Sequence, residues 1–593
     1  MKQHISHMVR NRADQFGERE VFRFRQSKSK IFSKLNWNQL IPETNRVSKA
    51  LISLGCEHES MIGIFSENRV EWTIADLGIL AIRGIVVPFY ATSSAHQAKY
   101  IIDETGIKVL FVGNQEQVIK ANWLIDHCET LKKIIVFEDG DCPRDSRFMS
   151  WQDFKSLGND SGLNSKLEKL LEDAQPEDLA TVIYTSGTSG EPKGVMLAHE
   201  NFMYAFKIHE SRLNVTENDV SLCFLPLSHV FERIWTYNML YCGAINTFLE
   251  NPREVIETLP LAKPTVMCTV PRFFEKTYDG IQNELTIWPG YKKKIFNWSI
   301  DIGHQMIEFR KDAKKAPTNL RFKYKIADKL VLSKLRGVLG GNFKSMPCAG
   351  AAINPKLLRF FHATGLFITY GYGATETSAT VSCFRSDIYD FDTCGSIMPG
   401  IDVKISTEGE ILIKGKTIFK GYFKKPEATA SVLIDGWYRT GDQGRLIRNE
   451  HLVMVDRIKD LMKTSVGKYI SPQKLELLLG QDAFIEQIIV AGDNRKYVTA
   501  LIVPSFENLR IYYKNLGNEE VNNETLIAMP EIIEMIKTRI DQLQQELTPY
   551  ERIVKFTLLP EPFSILNNGL TNTLKVKRNL LLQKYNDLVE KMY

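Results

Sequence analysis

Residues 181–197 read TVIYTSGTSGEPKGVML, in which two apolar runs enclose a loop of glycines, hydroxyl residues and one lysine. The three glycines of residues 185–194 let the backbone turn sharply and bring N–H groups close to an anion. Four hydroxyls add donors or metal ligands, and Lys193 adds a positive charge. The common nucleotide loop has Gly-Lys-Ser/Thr opening a helix, whereas Pro192 and Gly194 flank the lysine in this chain. The pattern predicts a phosphate-binding hairpin, with a mobile polar hairpin as the alternative.

The apolar runs on either side of this loop predict the two strands of the hairpin. Further apolar runs alternate with amphipathic helical patterns along the chain. They predict strands at residues 60–65, 85–88, 108–112 and 134–137 before the loop, and at 244–249, 265–270 and 365–369 after it. Strands separated by helices indicate a parallel, helix-flanked sheet, so the predicted fold class is α/β.

The carboxyl-terminal third of the chain has a different pattern. Short alternating runs with tight turns, such as 403–405 and 410–414, predict a small β-rich, barrel-like subdomain over about residues 395–455. Strands at 487–491 and 498–503, followed by helices, predict a separate small, mobile α+β domain. We therefore expect an amino-terminal domain of residues 1–455 and a carboxyl-terminal domain of residues 456–593.

Composition narrows the class of protein. The chain has 593 residues, too many for one core, and is 44% hydrophobic and 24% charged, as in globular proteins. Nine scattered cysteines without a Cys-x-x-Cys pair argue against a disulfide framework or structural zinc and for a reducing cytosol. The amino terminus has no apolar signal core, and the apolar stretch 74–91 is interrupted by Asp76 and Arg83. A soluble or peripheral cytoplasmic protein is expected, and the net charge of +5 does not indicate nucleic-acid binding.

The positive charge is concentrated in one stretch. Residues 291–345 contain 14 Lys or Arg against 4 Asp or Glu, with apolar residues at largely helical spacing. A basic amphipathic helix can lie on the inner face of an anionic membrane. The alternative is a solvated basic face over an ordinary core stripe.

Two further segments have the composition of a nucleotide site. Residues 370–377, YGYGATET, place a glycine turn before a hydroxyl and a carboxylate, the hard ligands that Mg²⁺ takes. A turn with a surface glutamate is the alternative. Residues 348–352, CAGAA, are small enough for a flat ring to lie against the backbone, although a tight helix-packing turn would explain them equally well.

Two more segments contribute charge. Residues 435–442, DGWYRTGD, end in Asp442, whose two oxygens could accept from both hydroxyls of a ribose. Most aspartates after glycine are turn residues, which is the alternative. Residues 571–578, TNTLKVKR, form a cationic run that includes Lys575, and a solvated helix start would explain it as well.

Together, the order and spacing of these segments resemble the AMP-forming, adenylate-forming superfamily, most closely its long-chain fatty acyl-CoA synthetases. The resemblance covers nearly the whole chain. The loop 185–194, YGATE at 372–376 and YRTGD at 438–442 are similar to superfamily motifs, and 435–459 is similar to the fatty acyl-CoA synthetase signature. Similar to the long-chain branch are SENRVEW (66–72), VPFYATS (87–93), LPLSHVFER (225–233), VPRFFEK (270–276) and GDNRKY (492–497).

The resemblance implies that a fatty acid, ATP and CoA become acyl-CoA, AMP and diphosphate through an acyl-adenylate, with Mg²⁺. It implies catalytic roles for Lys575, Glu376 and Lys193 and a magnesium site at Thr185 and Glu376. It also implies ribose binding by Asp442 with Arg457, and it places Lys459 among the residues that bind ATP or AMP. The β and γ phosphates would be held by Thr185, Ser186, Gly187, Thr188, Ser189, Gly190 and Lys193. The adenine would be lined by Ala349, Gly350, Ala351, Ala352, Tyr370, Gly371, Tyr372, Gly373, Ala374 and Thr375.

The resemblance also implies that the carboxyl-terminal domain rotates between the two half-reactions about a hinge at Lys459. One face would bring Lys575 to the site. The other would bring the loop 463–469, so that the CoA and acyl channel comprises His229, Lys463, Gly467 and Tyr469. Arg233, with Trp235 nearby, falls where some relatives have an acyl-tunnel gate. The chain departs from the family pattern at Asn572, where proline is usual, and at Leu574, where glycine is frequent.

Rival functions follow from the same motifs. A fatty acyl-AMP ligase would hand the acyl group to a carrier protein instead of CoA. A luciferase-like oxidase or a free-standing adenylation domain of peptide synthesis is more distant. A catalytically dead binding protein would have lost Lys575, Glu376 or Asp442, and all three are present.

The expected partners are small molecules and no nucleic acid, with possible peripheral membrane contact, in a monomer or a homodimer. The preferred acyl length is not readable, because the tunnel is lined by residues far apart in sequence.

Overall fold

A computed structural model describes residues 3–25, 30–185, 191–465, 468–515, 521–565, 567–571 and 575–593. Its first part alternates helices and strands up to the glycine loop. The elements, numbered in chain order, are α1 (Ile5–Phe16), β1 (Glu20–Phe24), β2 (Ser33–Asn36), α2 (Trp37–Ser53), β3 (Met61–Phe65), α3 (Val70–Ala81), β4 (Ile85–Phe89), α4 (Ala95–Thr105), β5 (Val109–Val112), α5 (Gln115–His127), β6 (Lys133–Val136), β7 (Phe148–Ser150), α6 (Trp151–Leu157), α7 (Asn164–Glu172) and β8 (Leu179–Thr185).

The segment after the loop is mainly helical. It contains β9 (Lys193–Ala198), α8 (His199–Leu213), β10 (Val220–Cys223), α9 (Val230–Cys242), β11 (Ile245–Phe248), α10 (Val255–Ala262), α11 (Pro271–Ile287), α12 (Gly290–Arg310), α13 (Thr318–Ala327) and α14 (Ser333–Val338). A π-helical turn, Asp328–Leu332, joins the last two helices.

Short strands dominate the next segment. Its elements are β12 (Met346–Cys348), α15 (Pro355–Ala363), β13 (Ile368–Tyr372), β14 (Ser382–Cys383), β15 (Ser396–Ile397), β16 (Asp402–Ile405), β17 (Glu410–Lys414), β18 (Gly421–Tyr422), α16 (Pro426–Ala430), β19 (Leu433–Ile434), β20 (Trp437–Ile447) and β21 (His451–Arg457).

The carboxyl-terminal part has its own elements and its own core. They are β22 (Met462–Lys463), β23 (Tyr469–Ile470), α17 (Pro472–Leu479), β24 (Ile485–Ala491), β25 (Val498–Pro504), α18 (Phe506–Asn515), α19 (Asn523–Ala528), α20 (Pro530–Leu543), β26 (Ile553–Leu558), α21 (Arg578–Lys584) and α22 (Asn586–Glu590). One cluster of buried apolar residues runs from Met462 to Met592 and fills this part, which we call the carboxyl-terminal body.

Three sheets build the amino-terminal part. The first has the order β18-β9-β8-β4-β3-β5-β6-β7, and its strands β8, β4, β3, β5, β6 and β7 pair in parallel. The second has the order β10-β11-β1-β2. The third runs β12-β13-β14-β15-β21-β20-β17-β16, with β19 paired to β20. Helices flank these sheets, as the alternating apolar runs predicted, so the α/β fold with a large amino-terminal and a small carboxyl-terminal domain is confirmed.

Three details differ from the sequence-based predictions. The expected strand at 265–270 makes only isolated bridges in the described residues, Val266 with Ser221 and Ser345, and Thr269 with Cys348. The strand expected at 365–369 begins later, at Ile368, because Gly365 has a φ of +88° in the turn that follows α15. The strands of the β-rich segment do not form a sheet of their own in the described residues, because β18 joins the first sheet and the others belong to the third.

No helix within the described ranges is both long and apolar enough to cross a membrane.

Candidate active site

The glycine loop joins the paired strands β8 and β9, and the Glu104 carboxylate contacts the strand before the loop. Thr185 and Lys193 are register partners at the open end of β8 and β9. Next to them the Tyr184 hydroxyl donates to Glu104, which also lies 3.3 Å from the Lys425 ammonium. These contacts fix the two ends of the loop. Residues Ser186, Gly187, Thr188, Ser189 and Gly190 lie outside the described residues, so their predicted phosphate contacts stay predictions.

One aromatic ring connects the loop lysine with the predicted magnesium ligand. Strand β18 pairs with β9, which places Tyr422 beside Val195. The Lys193 ammonium lies 5.0 Å from the centroid of the Tyr422 ring, and the Tyr422 hydroxyl donates to Glu376 Oε1 at 2.9 Å. The strand from the β-rich segment therefore brings Lys193 and Glu376 to the same place.

Glu376 lies in a tight turn directly after β13. Residue 373 must be glycine, because a Cβ there would lie 1.2 Å from the Ala379 carbonyl oxygen. Burial raises the pKa of Glu376, whereas its bond from Tyr422 and the charge of Arg457 lower it. No cluster of three or more acidic, His or Cys metal ligands occurs among the described residues. A single carboxylate suits Mg²⁺ that takes its other ligands from phosphates and water, so the donor set fits the predicted ion.

Asp442 has one oxygen engaged and one without a hydrogen bond. Tyr372 donates its hydroxyl to Asp442 Oδ2 at 2.5 Å. Oδ1 is buried and accepts no hydrogen bond from the described residues, although the Arg457 Nε lies 3.4 Å away across β20 and β21. Burial raises the pKa of Asp442 and the Arg457 charge lowers it. A buried acceptor without a donor is costly unless a ligand supplies one, so Oδ1 suits a ligand hydroxyl.

Lys575 comes to this site from the carboxyl-terminal body. Thr571 N–H donates to the Lys575 carbonyl at 2.8 Å, and Lys575 N–H donates to the Thr571 hydroxyl at 3.0 Å, which closes a narrow turn. Residues Asn572 and Leu574 lie outside the described residues. Desolvation lowers the pKa of Lys575 and Arg457 lowers it further, whereas Asp442 and Glu376 act in the opposite direction. The lysine, the two carboxylates and Arg457 therefore influence one another electrostatically.

The small-residue segment and β13 form a wall beside these charges. Gly350 and Ala351 are exposed, and Ala352, Gly373 and Ala374 are half-buried, whereas Gly371 and Thr375 are buried. Tyr370 is buried against Phe384, with its hydroxyl 3.5 Å from the Ala351 carbonyl oxygen. Tyr370 therefore supports the wall from behind, while the next tyrosine along the strand, Tyr372, contacts Asp442.

A narrow apolar cavity of about 30 Å³ adjoins this wall. It shares Gly371 and Tyr372 with the wall, and five segments distant in sequence line it: His209 and Leu213; Phe231, Ile234 and Trp235; Pro347, Cys348 and Ala349; Thr369, Gly371 and Tyr372; Ala379, Thr380 and Cys383. Sequence reasoning named Trp235 but not His209, Phe231 or Ile234. Phe231 lies inside the family-like segment 225–233, whereas His209 lies on α8, which no motif marked.

The residue expected as a tunnel gate is not at the cavity. The Arg233 side chain is 1% exposed and donates to Asp76 Oδ1 at 2.5 Å and to the Thr181 hydroxyl at 2.6 Å. Two positions on, the Trp235 indole lines the cavity, and its Nε1 donates to Ser221 at 2.8 Å. Arg233 therefore does not line this cavity, because burial of its charge requires the Asp76 partner on α3.

His229 caps the amino terminus of α9 near the same charges. Its Nδ1 accepts from the Phe231 N–H at 3.1 Å. Burial lowers the pKa of His229 to about 4, with a further contribution from the Lys575 charge. The imidazole is therefore neutral at pH 7, with its proton on Nε2.

The predicted hinge residue Lys459 and the predicted CoA-channel residues Lys463 and Tyr469 lie at the start of the carboxyl-terminal part of the chain. Lys459 is exposed in a 3₁₀ turn, Ile458–Asp460, directly after β21. The Lys463 ammonium lies 5.5 Å from the centroid of the Tyr469 ring, and Lys463 N–H donates to Asp493 within the carboxyl-terminal body. Gly467 lies outside the described residues.

Comparisons with known proteins agree with this architecture. Residues 9–423 match the AMP-binding enzyme family and residues 459–593 match the AMP-binding enzyme C-terminal domain. The chain is 31% identical to long-chain-fatty-acid–CoA ligase FadD15 of Mycobacterium bovis, over 92% of this chain and 89% of that protein. It is 32% identical to long-chain-fatty-acid–CoA ligase 5 of Rattus norvegicus, over 94% of this chain and 84% of that protein. The adenylation domain of a carboxylate reductase from Mycobacterium chelonae is similar in fold, with a TM-score of 0.75 and 21% identity. The match covers 100% of this chain and 91% of that domain.

The fold and the site define an adenylate-forming enzyme, and the chain belongs to the AMP-binding enzyme family. Within that family it falls in the branch of the long-chain fatty acyl-CoA synthetases.

Proposed function

We propose that this protein is a long-chain fatty acid–CoA ligase that activates fatty acids with ATP and CoA through an acyl-adenylate. The observation that carries the proposal is the convergence of Lys193, Glu376, Asp442 and Lys575 on one site beside an apolar cavity. Four segments far apart in sequence supply these charges. The cavity shares Tyr372 with the nucleotide wall, so an apolar chain in it would end close to the charged groups.

In the first half-reaction, a carboxylate oxygen of the fatty acid attacks the α-phosphorus of ATP. The bond from that phosphorus to the oxygen bridging to the β-phosphate breaks, and diphosphate leaves. Lys575 lies between the acyl carboxylate and the α-phosphate in this proposal and offsets the negative charge that develops there. Lys193 and the hairpin loop hold the β and γ phosphates. Catalysis is then positioning plus charge stabilisation, because no protein nucleophile is required.

In this proposal, groups of the amino-terminal part of the chain hold the nucleotide. Asp442 Oδ1, buried without a hydrogen-bond donor among the described residues, accepts from a ribose hydroxyl, and the Arg457 charge beside it favours the ionised carboxylate. Gly350, Ala351 and Tyr372 lie against the adenine. Mg²⁺ would be held by Glu376 and Thr185 together with substrate phosphate oxygens, and when bound it neutralises charge on the leaving diphosphate.

In the second half-reaction, the thiolate sulfur of CoA attacks the acyl carbon. The bond from that carbon to the AMP oxygen breaks, and AMP leaves. We propose that the carboxyl-terminal body turns about Lys459 before this step, which withdraws Lys575 and presents Lys463, Gly467 and Tyr469 to the pantetheine. His229, neutral at pH 7, adds a hydrogen bond to the site without adding a second cation.

Product analysis tests the proposal. The purified chain is incubated with ATP, Mg²⁺, CoA and a panel of short to very long fatty acids, and thioester, AMP and diphosphate are measured. Long-chain acyl-CoA formed in equal amounts with AMP and diphosphate is the expected result. Acyl-AMP that accumulates in the presence of CoA would overturn it in favour of the fatty acyl-AMP ligase. Loss of product on chelation of Mg²⁺ tests the metal.

The proposal extends to location and assembly. Long-chain acids partition into bilayers, so we propose that the protein meets its substrate as a peripheral protein on an anionic membrane. Monomer and homodimer remain the two expected states, and sedimentation of the purified chain separates them.

A further inference from the structure

The basic stretch of the sequence forms a helical layer with one exposed apolar row. Phe322, Ile326, Leu330 and Val338 are 65%, 39%, 46% and 46% exposed, although each is a large apolar residue. The first three are spaced four residues apart on α13 and the π-helical turn, so they lie along one side of the helix. Their neighbours Leu320, Ala327 and Val331 face the other way and are buried in the core.

A row of bases runs beside these apolar residues. Arg321, Lys325 and Lys329 each directly precede one of them, and all three are exposed. They form no ion pair with any other described residue. Residues 318–338 contain six bases and one acid, and that acid, Asp328, lies 2.7 Å from Arg336. The positive charge of this surface is therefore not neutralised by its own side chains.

The layer is built on a helix with a similar outer surface. Helix α12 packs along α13 and exposes Tyr291, Ile295 and Trp298 together with Lys292 and Lys294. The Lys293 ammonium is engaged, because it donates to the Thr286 carbonyl at 2.9 Å. The buried sides of both helices belong to the hydrophobic cluster that includes Cys348, which lines the apolar cavity. The outer surface and the cavity are thus two sides of one packed layer.

We propose that Arg321, Phe322, Lys325, Ile326, Lys329 and Leu330, the docking face, bind the surface of an anionic lipid bilayer. The apolar row enters the boundary between headgroups and acyl chains, and the bases lie at the level of the lipid phosphates. Charge complementarity favours a lipid bilayer as the partner. The bases of the docking face match negative headgroups, and the apolar row matches the acyl chains beneath them. The biological meaning rests on the proposed function, since a ligase that docks on the bilayer collects fatty acids where they partition.

Co-sedimentation of the full chain with vesicles tests the docking face. Vesicles of phosphatidylcholine with phosphatidylglycerol are compared with pure phosphatidylcholine, at low and high salt. We expect wild type to bind the anionic vesicles at low salt and to be released by salt. R321Q/K325Q/K329Q should partition about 100-fold more weakly. F322S/I326S/L330S should partition at least about tenfold more weakly to the same vesicles.

The matched control is K166Q/K169Q/K207Q, which removes three exposed bases from α7 and α8. It should bind vesicles nearly as wild type does, and an equal loss would overturn the assignment to the docking face. If F322S/I326S/L330S binds the vesicles as tightly as wild type does, the apolar row does not enter the bilayer. The face would then bind any polyanion through its bases alone, and the bilayer proposal would be overturned.

Acyl-CoA formation with detergent-dispersed fatty acid separates this proposal from the proposed function. All three variants should retain wild-type activity there. A wild type that makes acyl-CoA but binds no anionic vesicles would refute the docking face alone. A wild type that binds vesicles through this face and makes no acyl-CoA would refute the ligase and leave the docking face supported.

Discussion

Replacing Lys575 with alanine should separate the two half-reactions. The backbone turn at this position is held by Thr571 through main-chain bonds, so the substitution removes the ammonium without removing the turn. In the proposed mechanism only adenylation uses this charge. Diphosphate release should therefore fall, whereas thioester formation from supplied acyl-AMP and CoA should remain near wild type.

The size of the loss follows from the setting of the lysine. Two unit charges about 4 Å apart interact by about 4 kcal/mol at the effective dielectric constant of 20 that suits protein surfaces. Lys575 keeps some solvent exposure, which screens part of this energy. Loss of one preorganised group that stabilises developing charge lowers a rate by about 10²–10³-fold, which agrees with that energy. We expect diphosphate release to fall by about this factor.

The pH dependence of the same step provides a second measurement. Because desolvation and Arg457 lower the pKa of Lys575, the ammonium is lost below the pH at which an ordinary lysine titrates. Wild-type diphosphate release should fall as pH rises through that pKa, and the variant should lack this fall.

Single-turnover diphosphate release and a separate thioesterification assay measure the two steps. Lys577→Ala is the control, because Lys577 donates to Asn568 and no site charge affects its pKa. Near-normal diphosphate release in Lys575→Ala would refute the role of this lysine. Equal losses in both steps would point to a folding defect.

Three further substitutions test other parts of the structure. Asp76→Ala leaves the Arg233 charge buried without its partner and should lower the free energy of unfolding, measured by urea titration, by about 3–5 kcal/mol. Adding Arg233→Met should recover part of this loss. A urea midpoint equal to that of wild type would contradict the reasoning. Trp235→Ala enlarges the cavity and should shift competition among a panel of fatty acids towards longer or bulkier chains, and an unchanged preference would remove Trp235 from the acyl path. Burial lowers the pKa of His362 to about 3, so the unfolded chain binds more protons below pH 6.5 and stability falls as pH drops. The loss from pH 7 to pH 5 should be about 2 kcal/mol, and His362→Gln should flatten this slope; identical slopes would rule the histidine out.

Local patterns predicted the parts of the fold that depend on short-range periodicity. Runs such as 61–65 and 109–112 are apolar on both faces, as parallel strands covered by helices require, and the structure has strands at both. The prediction of a strand at 265–270 was wrong because these residues make only isolated bridges. Their partners are distant in sequence: Ser221 lies earlier in the chain, and Ser345 and Cys348 each lie 79 residues after the residue they pair with. A local run of apolar residues does not encode which distant segment it will pair with.

The candidate site was predictable where one segment carried its own chemistry, as at Glu376 and Asp442. The contacts between segments were not. Tyr422 was not singled out, because its importance arises only when β18 pairs with β9 and sets its ring beside Lys193. The buried ion pair of Arg233 was not predictable for a related reason, since its partner Asp76 lies on a different helix. The roles of these residues in catalysis remain predictions.

The position of Arg457 bears on how one site could serve two reactions. Arg457 ends β21, two residues before the proposed hinge at Lys459, and its charge faces Asp442 across a strand pair. Lys575 lies on the other side of that hinge. A rotation about Lys459 would therefore withdraw the Lys575 charge and leave the Asp442–Arg457 pair in place. The ribose would stay bound while the group that promotes adenylation departs, as the second reaction requires, because AMP must remain in the site until the thiol displaces it.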